Sequence, residues 1–106
     1  MDKSYQNSEP IHPALPAAAI PRRRDGYRLG KIPCCAVLQD ENCQNILVLN
    51  DSGALIWRLC NGDIDVGGMI DMIDASFHDS RDSVARDVYR SLDTFRTYDL
   101  IEIDGA

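Results

Sequence analysis

The chain has 106 residues and a formal net charge of −6, which gives room for one domain with a single hydrophobic core. The charge is uneven, because residues 63–106 hold 4 basic and 11 acidic side chains. An acidic C-terminal half repels phosphate backbones, so composition argues against nucleic acid as a partner. No apolar run approaches the roughly 18 residues that span a bilayer, and the first residues lack the basic-then-apolar order of a secretory signal. We therefore expect a cytoplasmic protein without membrane contact.

The N-terminal residues differ in composition from the rest of the chain. Residues 1–19 are first polar and then rich in proline and alanine. Pro10, Pro13 and Pro16 lack a backbone donor and prevent a stable helix. Residues 1–19 are therefore predicted to form a disordered or extended arm, and residues 20–106 to form the folded domain.

A run of three arginines, Arg22–Arg24, opens the predicted domain. Three basic residues without interleaved aromatic side chains are weak evidence for nucleic-acid binding. We expect them to be solvated charges on a strand or loop. The alternative is contact with an acidic peptide or an enzyme partner.

Three short strands are predicted next, over Tyr27–Lys31, Cys34–Gln39 and Asn45–Leu49. Turn residues separate them, so consecutive strands form an antiparallel meander. Such a sheet buries one face against helices and leaves an outer strand edge exposed. Ile46–Leu49 is apolar on both alternating faces, more than a half-exposed edge strand requires. Either internal packing covers both faces, or a partner covers one side.

Three helices are predicted to follow the strands. Asn50–Ser52 supply capping oxygens for the first helix, which ends near Gly62. Asp65 caps the second helix, in which Gly67 and Gly68 are expected to weaken the first turn. The third helix begins near Asp79-Ser80, and Leu100–Ile103 either packs back or adds a final strand-like segment. The fold class is therefore α+β, a winged-helix-like domain in which a three-stranded antiparallel sheet precedes three helices.

Apolar side chains at helical spacing predict which helix faces enter the core. For the second helix the predicted core positions are Val66, Met69, Ile70, Met72, Ile73 and Phe77. For the third helix they are Val84, Val88, Leu92, Phe95 and, continuing the stripe, Tyr98.

No set of catalytic or metal-binding residues emerges from the sequence. There is no Gly-rich phosphate loop, no nucleophile with a supporting base, and no paired metal-ligand spacing. Cys34 and Cys35 would point to opposite faces of a strand, and His12 and His78 lie far apart in the chain. We therefore expect no enzyme activity, no cofactor and no metal, with the cysteines as ordinary, partly buried thiols and His78 as a surface residue.

The segment that joins the third predicted strand to the first helix resembles the PqqD-like family. The resemblance is carried by Leu49-Asn50, Gly53, Ile56-Trp57, Leu59 and Gly62 and extends from about Pro21 to Ile103. The family is also called the RiPP recognition element, after ribosomally made, post-translationally modified peptides. The glycines at 67 and 68 depart from the family, in which good helix formers usually occupy these positions.

The resemblance implies a peptide-binding adaptor. Similar domains bind the leader of a precursor peptide as an extra antiparallel strand beside the third strand, in the groove between that strand and the third helix. They present the peptide to a modifying enzyme, a radical S-adenosylmethionine enzyme or a leader peptidase. On this chain the implied contacts are Asn45, Ile46, Leu47, Val48, Leu49, Ser83, Asp87, Val88, Arg90, Ser91 and Thr94. The family pattern is shared among pyrroloquinoline quinone, lasso-peptide and other pathways, so the product stays open.

Two other functions use the same outline. A winged helix can read DNA, but here the third helix carries acidic residues in number equal to its basic ones, which is poor for phosphate contact. The exposed edge could instead pair with a second copy of the chain, giving a homodimer or larger assembly.

Overall fold

The computed structural model describes residues 15–33, 35–76 and 80–104, so expectations for Cys34, Phe77, His78 and Asp79 lie outside the described residues. The strands are β1 (Ile20–Arg23), β2 (Arg28–Ile32), β3 (Cys35–Gln39), β4 (Asn45–Leu49) and β5 (Ile101–Asp104). The helices are α1 (Asp51–Leu59), α2 (Val66–Ser76) and α3 (Arg81–Thr97), and they lie between β4 and β5.

The predicted antiparallel meander is confirmed, with strand order β2-β3-β4. Asn45–Leu49 has the predicted bounds, whereas β2 begins one residue later than expected, at Arg28. Leu38 of β3 and Leu49 of β4 lie on the face of the meander that packs into the hydrophobic core. The three predicted helices follow in the predicted order, so the winged-helix-like arrangement of the α+β class is also confirmed.

Strand β4 contains a bulge. Leu38 pairs with Leu47, but the next residue of β3, Gln39, pairs with Asn45, so Ile46 has no partner of its own. An extra residue of this kind bends a strand and increases its twist. The bulge therefore interrupts the regular alternation of β4 at Ile46.

A second sheet, which we did not predict, joins the two ends of the described chain. Strand β1 pairs antiparallel with β5, with Arg22 opposite Glu102 and Arg23 opposite Ile101. The apolar end of the chain is thus a strand, one of its two predicted outcomes. Strand β1 was missed because Ile-Pro-Arg-Arg has neither an apolar alternation nor a regular donor pattern.

The arginine run stabilises this second sheet. Arg22 is an exposed charge on a strand, as expected, but its ion pairs were not predicted. Arg22 contacts Glu102 and Asp104, each at 2.7 Å, and Arg24 contacts Glu102 at 3.1 Å. The guanidinium of Arg23 donates instead to backbone carbonyl oxygens at the end of α1, those of Trp57 at 3.1 Å and Arg58 at 2.7 Å. Three adjacent arginines thus join β1 to β5 and to α1.

Each helix begins at a side chain that caps a backbone N–H. Oδ1 of Asn50 accepts from Gly53 N–H at 2.8 Å. Oδ1 of Asp65 accepts from Gly68 N–H at 2.7 Å, and the Ser80 hydroxyl oxygen accepts from the third helical residue of α3 at 3.2 Å. Asn50 and Asp65 are predicted caps, and each satisfies a donor that the helix itself cannot satisfy.

The first turn of α2 is held by the residues that precede β1. Val66 N–H donates to Ala19 C=O, and Gly67 N–H donates to Ala17 C=O, both at 2.9 Å. A Cβ built on Gly67 would lie 3.5 Å from the Ala17 oxygen, an ordinary van der Waals contact, so this approach of two backbones does not require glycine. Residues 15–19, which we assigned to the arm, therefore contact α2. The division of the chain into arm and domain stays a prediction.

The core lies between the meander and the helices. The predicted stripe of α3 is confirmed through Phe95, which is fully buried and meets Trp57 of α1 edge to face, with ring centroids 5.2 Å apart. Two predicted core residues are not buried: Met72 is 49% exposed and Tyr98 is 52% exposed. Tyr98 follows the last helical residue, where the chain turns toward β5, and Met72 lies off the buried stripe of α2.

The ion pairs between β1 and β5 predict a dependence of stability on pH. The hydrogen bond from Arg22 and the positive charges of Arg22 and Arg24 lower the pKa of Glu102. A lowered folded-state pKa gives stability that is present above the usual glutamate pKa of about 4.3 and is lost as pH falls through the lowered value. We expect Glu102→Gln to lower the urea midpoint near neutral pH and to leave it unchanged in strong acid.

The control for this prediction is Glu41→Gln, because Glu41 forms no ion pair within the described part of the chain. Its urea midpoint should follow that of the parent chain at every pH. A Glu102→Gln deficit that persists unchanged in strong acid would show that packing, not charge, is responsible.

Candidate functional site

Strand β4 is an edge strand, and its backbone orientation follows from the ladder. Ile32 and Cys35 are register partners, and two residues lie between them in the chain. In a two-residue hairpin, the pair next to the turn is a hydrogen-bonded pair. Bonded and non-bonded pairs alternate, so Val37 bonds to β2 and forms a non-bonded pair with Val48. The N–H and C=O of Val48 therefore point away from β3, toward the open side of β4.

The two edges of the meander differ in their protection. Strand β2 carries the exposed cations Arg28 and Lys31, and charged side chains discourage a further strand from pairing. Strand β4 carries none, and its Val48 side chain is 62% exposed. Ile46 and Leu47 are only partly buried against the core. Of the two edges, β4 is thus the one suited to pair with another strand.

The predicted contacts on α3 share one side of that helix. Ser83, Asp87, Ser91 and Thr94 are half-buried, and Arg90 is exposed. They flank the buried stripe, as their spacing requires. Val88 itself belongs to the stripe and is fully buried.

A pocket of about 180 Å³ lies between the three helices, with the first turn of α1 forming one side. Its apolar wall comes from all three helices: Ile56 of α1, Ile73 of α2, and Val84 and Val88 of α3. Its polar residues are Asp51, Ser52 and Asp87. Asp51 stands only two residues after Leu49, so one side of the pocket follows directly on the C-terminal end of β4, although no β4 residue lines it.

The structure brings some predicted site residues together and leaves others apart. Asp87 and Val88 line the pocket, whereas Asn45–Leu49 form the edge strand and do not line it. Ser83, Arg90, Ser91 and Thr94 share the flank of Asp87 but do not line the pocket. The sequence analysis missed five pocket residues, because their capping or core roles explained them: Asp51, Ser52, Ile56, Ile73 and Val84.

The described residues include no cluster of metal-binding side chains, and the buried thiol of Cys60 is not activated. No group of three or more His, Cys, Asp or Glu side chains there is placed to hold a metal ion. Cys60 is fully buried, and burial raises the pKa of its thiol to about 12, so it stays protonated at neutral pH. Cys43 is exposed, and the guanidinium of Arg28 donates to its Sγ at 3.0 Å. No helix among the described residues is long and apolar enough to cross a membrane.

Within the described residues, the fold is a winged-helix-like domain with an unpaired edge strand, β4, and a pocket between its helices. The chain matches the family described as coenzyme PQQ synthesis protein D (PqqD) over residues 35–101, more than half of its length. The chain therefore belongs to the PqqD family, as its resemblance implied. The matched region begins at β3 and ends at the start of β5, so it contains β4, the pocket and α3.

A solved structure has the same fold. The structure of TbiB1 in complex with the TbiA(beta) leader peptide superimposes with a TM-score of 0.61 at 22% sequence identity. The match covers 80% of this chain and 96% of that one. Among curated proteins, no sequence matches this chain.

The turn that orients the pocket depends on Asn50. Its side chain caps α1 immediately after β4, and the next two residues line the pocket. We expect Asn50→Ala to lower the free energy of unfolding by about 1 kcal/mol, the usual cost of losing a helix N-cap. Urea unfolding followed by circular dichroism measures this change.

Asn50→Asp is the matched control, since it keeps an acceptor for Gly53 N–H. It should retain most of the stability of the parent chain. Equal losses in both variants would mean that the side-chain amide, and not the cap, stabilises this turn.

Proposed function

We propose that this domain captures the leader segment of a ribosomally made precursor peptide by strand addition at β4 and presents it to a modifying enzyme. The observation that carries the proposal is the edge of β4, which is unprotected within the described chain and where the Val48 backbone points outward. A pocket begins two residues after β4 ends, at Asp51. In strand addition, main-chain hydrogen bonds supply affinity and neighbouring pockets select side chains. Membership of the PqqD family and the fold shared with a leader-peptide complex support the same function.

The proposed binding residues combine the edge and the facing side of α3. The edge residues Asn45–Leu49 offer backbone groups, and Asp87 offers a side-chain contact, while the fully buried Val88 forms part of the pocket wall. Ser83, Arg90, Ser91 and Thr94 extend the same surface along α3. A leader strand that pairs with β4 would lie beside the exposed side chain of Val48 and the half-buried side chains of Ile46 and Leu47.

The expected affinity follows from these contacts. About four backbone hydrogen bonds contribute about 1 kcal/mol each, and two or three apolar anchors contribute about 1.5–3 kcal/mol each. Several kcal/mol are lost to association and to ordering the peptide. The remainder corresponds to binding in the submicromolar to micromolar range.

We propose that a radical S-adenosylmethionine enzyme or a leader peptidase receives the peptide. Either enzyme would carry out the reaction, and this domain would act as an adaptor that contributes no chemistry of its own. A short peptide gene beside the gene of such an enzyme and of this protein would identify both partners. The synthetic leader encoded by that short gene, labelled with fluorescein, is then the probe for binding measurements.

Proline at position 48 tests strand addition directly. Val48→Pro removes an N–H that points outward, and proline is tolerated on an edge strand when its missing donor faces solvent. We expect the labelled leader to bind about tenfold more weakly or worse, since one hydrogen bond is lost and a peptide carbonyl is left unpaired. Fluorescence anisotropy measures the affinity.

Two comparisons make this result specific. Val48→Thr keeps the outward donor and a β-branched side chain, so it should bind the leader nearly as tightly as the parent chain. Unaltered circular dichroism and urea midpoint of Val48→Pro exclude unfolding. If the proline variant folds and binds the leader with full affinity, the peptide does not pair with β4.

The same edge is available to a second copy of the chain, and this alternative has its own signature. Sedimentation velocity over a range of concentrations reports self-association. If β4 edges pair with each other, the leader should dissociate the dimer and Val48→Pro should be monomeric. We expect a monomer that binds one leader.

A further inference from the structure

We propose that the pocket at the end of β4 selects a lysine or arginine side chain of the captured peptide, an inference that rests on the proposed function. Its walls are the aliphatic side chains of Ile56, Ile73, Val84 and Val88, and its charged residues are Asp51 and Asp87. A long side chain with an apolar stem and a cationic end matches both parts of this lining.

The two carboxylates have no internal partner that would compete for such a cation. Within the described part of the chain, neither Asp51 nor Asp87 forms an ion pair or a side-chain hydrogen bond. The basic residues of α3 do not line this pocket, and Lys31 and Arg58 line a second pocket that also includes Asp51. The pocket is therefore apolar inside and negative at its opening.

The amino-terminal end of α1 opposes this charge but does not cancel it. A helix N-terminus is equivalent to about half a positive charge, and Asp51 lies in the first turn of α1. Two carboxylates and half a positive charge leave a net charge of about −1.5 around the pocket. A neutral apolar side chain would leave that charge unpaired, and an acidic one would be repelled.

The position of the pocket also fixes where the basic residue lies in the peptide. The pocket adjoins the C-terminal end of β4, through Asp51 and Ser52. A peptide that runs antiparallel to β4 enters at this end. The basic residue therefore precedes the segment of the peptide that pairs with Val48.

A selection experiment tests the inference without knowledge of the natural leader. A random-sequence peptide library, displayed on phage, is selected on the immobilised full chain and on the variants Asp87→Asn and Asp93→Asn. Asp93 lies on α3 outside the pocket and is the matched control. We expect peptides with lysine or arginine at one position, followed by an apolar, strand-forming stretch. Asp87→Asn should lose the basic preference, and Asp93→Asn should keep it.

A peptide from the selection is then used to measure how much the lysine charge contributes to binding affinity. Replacing its lysine by norleucine keeps the stem and removes the charge. The affinity for the parent chain should fall about fivefold, as for a partly exposed ion pair, and the fall should be smaller at high salt. For Asp87→Asn the two peptides should bind nearly equally, which assigns the effect to this pair.

The outcomes separate this inference from the function on which it rests. Selected peptides whose binding is weakened by Val48→Pro but which carry an apolar or acidic residue at the anchor position overturn the basic-residue inference and leave strand addition intact. Equal binding of the lysine and norleucine peptides does the same. If no selected peptide responds to Val48→Pro, strand addition fails, and the inference fails with it.

Discussion

An edge strand has backbone groups that its own sheet cannot satisfy, and this constraint governs the molecule. Strand β3 is bonded on both sides, whereas β2 and β4 are each bonded on one side in the described chain. The β2 edge is defended by exposed cations and the β4 edge is not. Because an undefended apolar edge is an aggregation hazard for any protein, its presence requires a use. Membership of the PqqD family, the pocket and the orientation of Val48 all agree with capture of an extended peptide.

The remaining structure holds this edge in place. Asn50 caps α1 directly after β4, and α1 contributes Trp57 to the edge-to-face contact with Phe95 of α3. Helix α3 in turn leads into β5, which is tied to β1 by arginine–carboxylate pairs. The small second sheet thus links the beginning and end of the described chain. It uses charge at the surface, where each exposed pair contributes little alone and several form a network.

Local pattern was sufficient for most of the fold. Alternation and turn residues predicted β3 and β4, and capping residues predicted the starts of α1 and α2. Sequence could not predict β1, since its partner lies some eighty residues away and its stability comes from Arg22 pairing with Glu102 and Asp104. The same long-range pairing explains why the ion pairs of these arginines were not predicted. The edge residues followed from the family resemblance, whereas the pocket did not: Ile56 and Val84 read as core in the sequence, and only their three-dimensional arrangement shows that their packing leaves a space.

The unpaired residue Ile46 has a consequence for the register in which a peptide strand can pair with β4. A regular edge allows a foreign strand to slide by two residues and still complete its ladder. The irregularity at Ile46 breaks that translational equivalence, so the segment beyond it is out of phase with the segment around Val48. A leader captured there has one register, and the count of residues from its anchored position to its modified end is then set by this domain. On the proposed function, this domain would therefore set the distance along the peptide between the captured segment and the modified end.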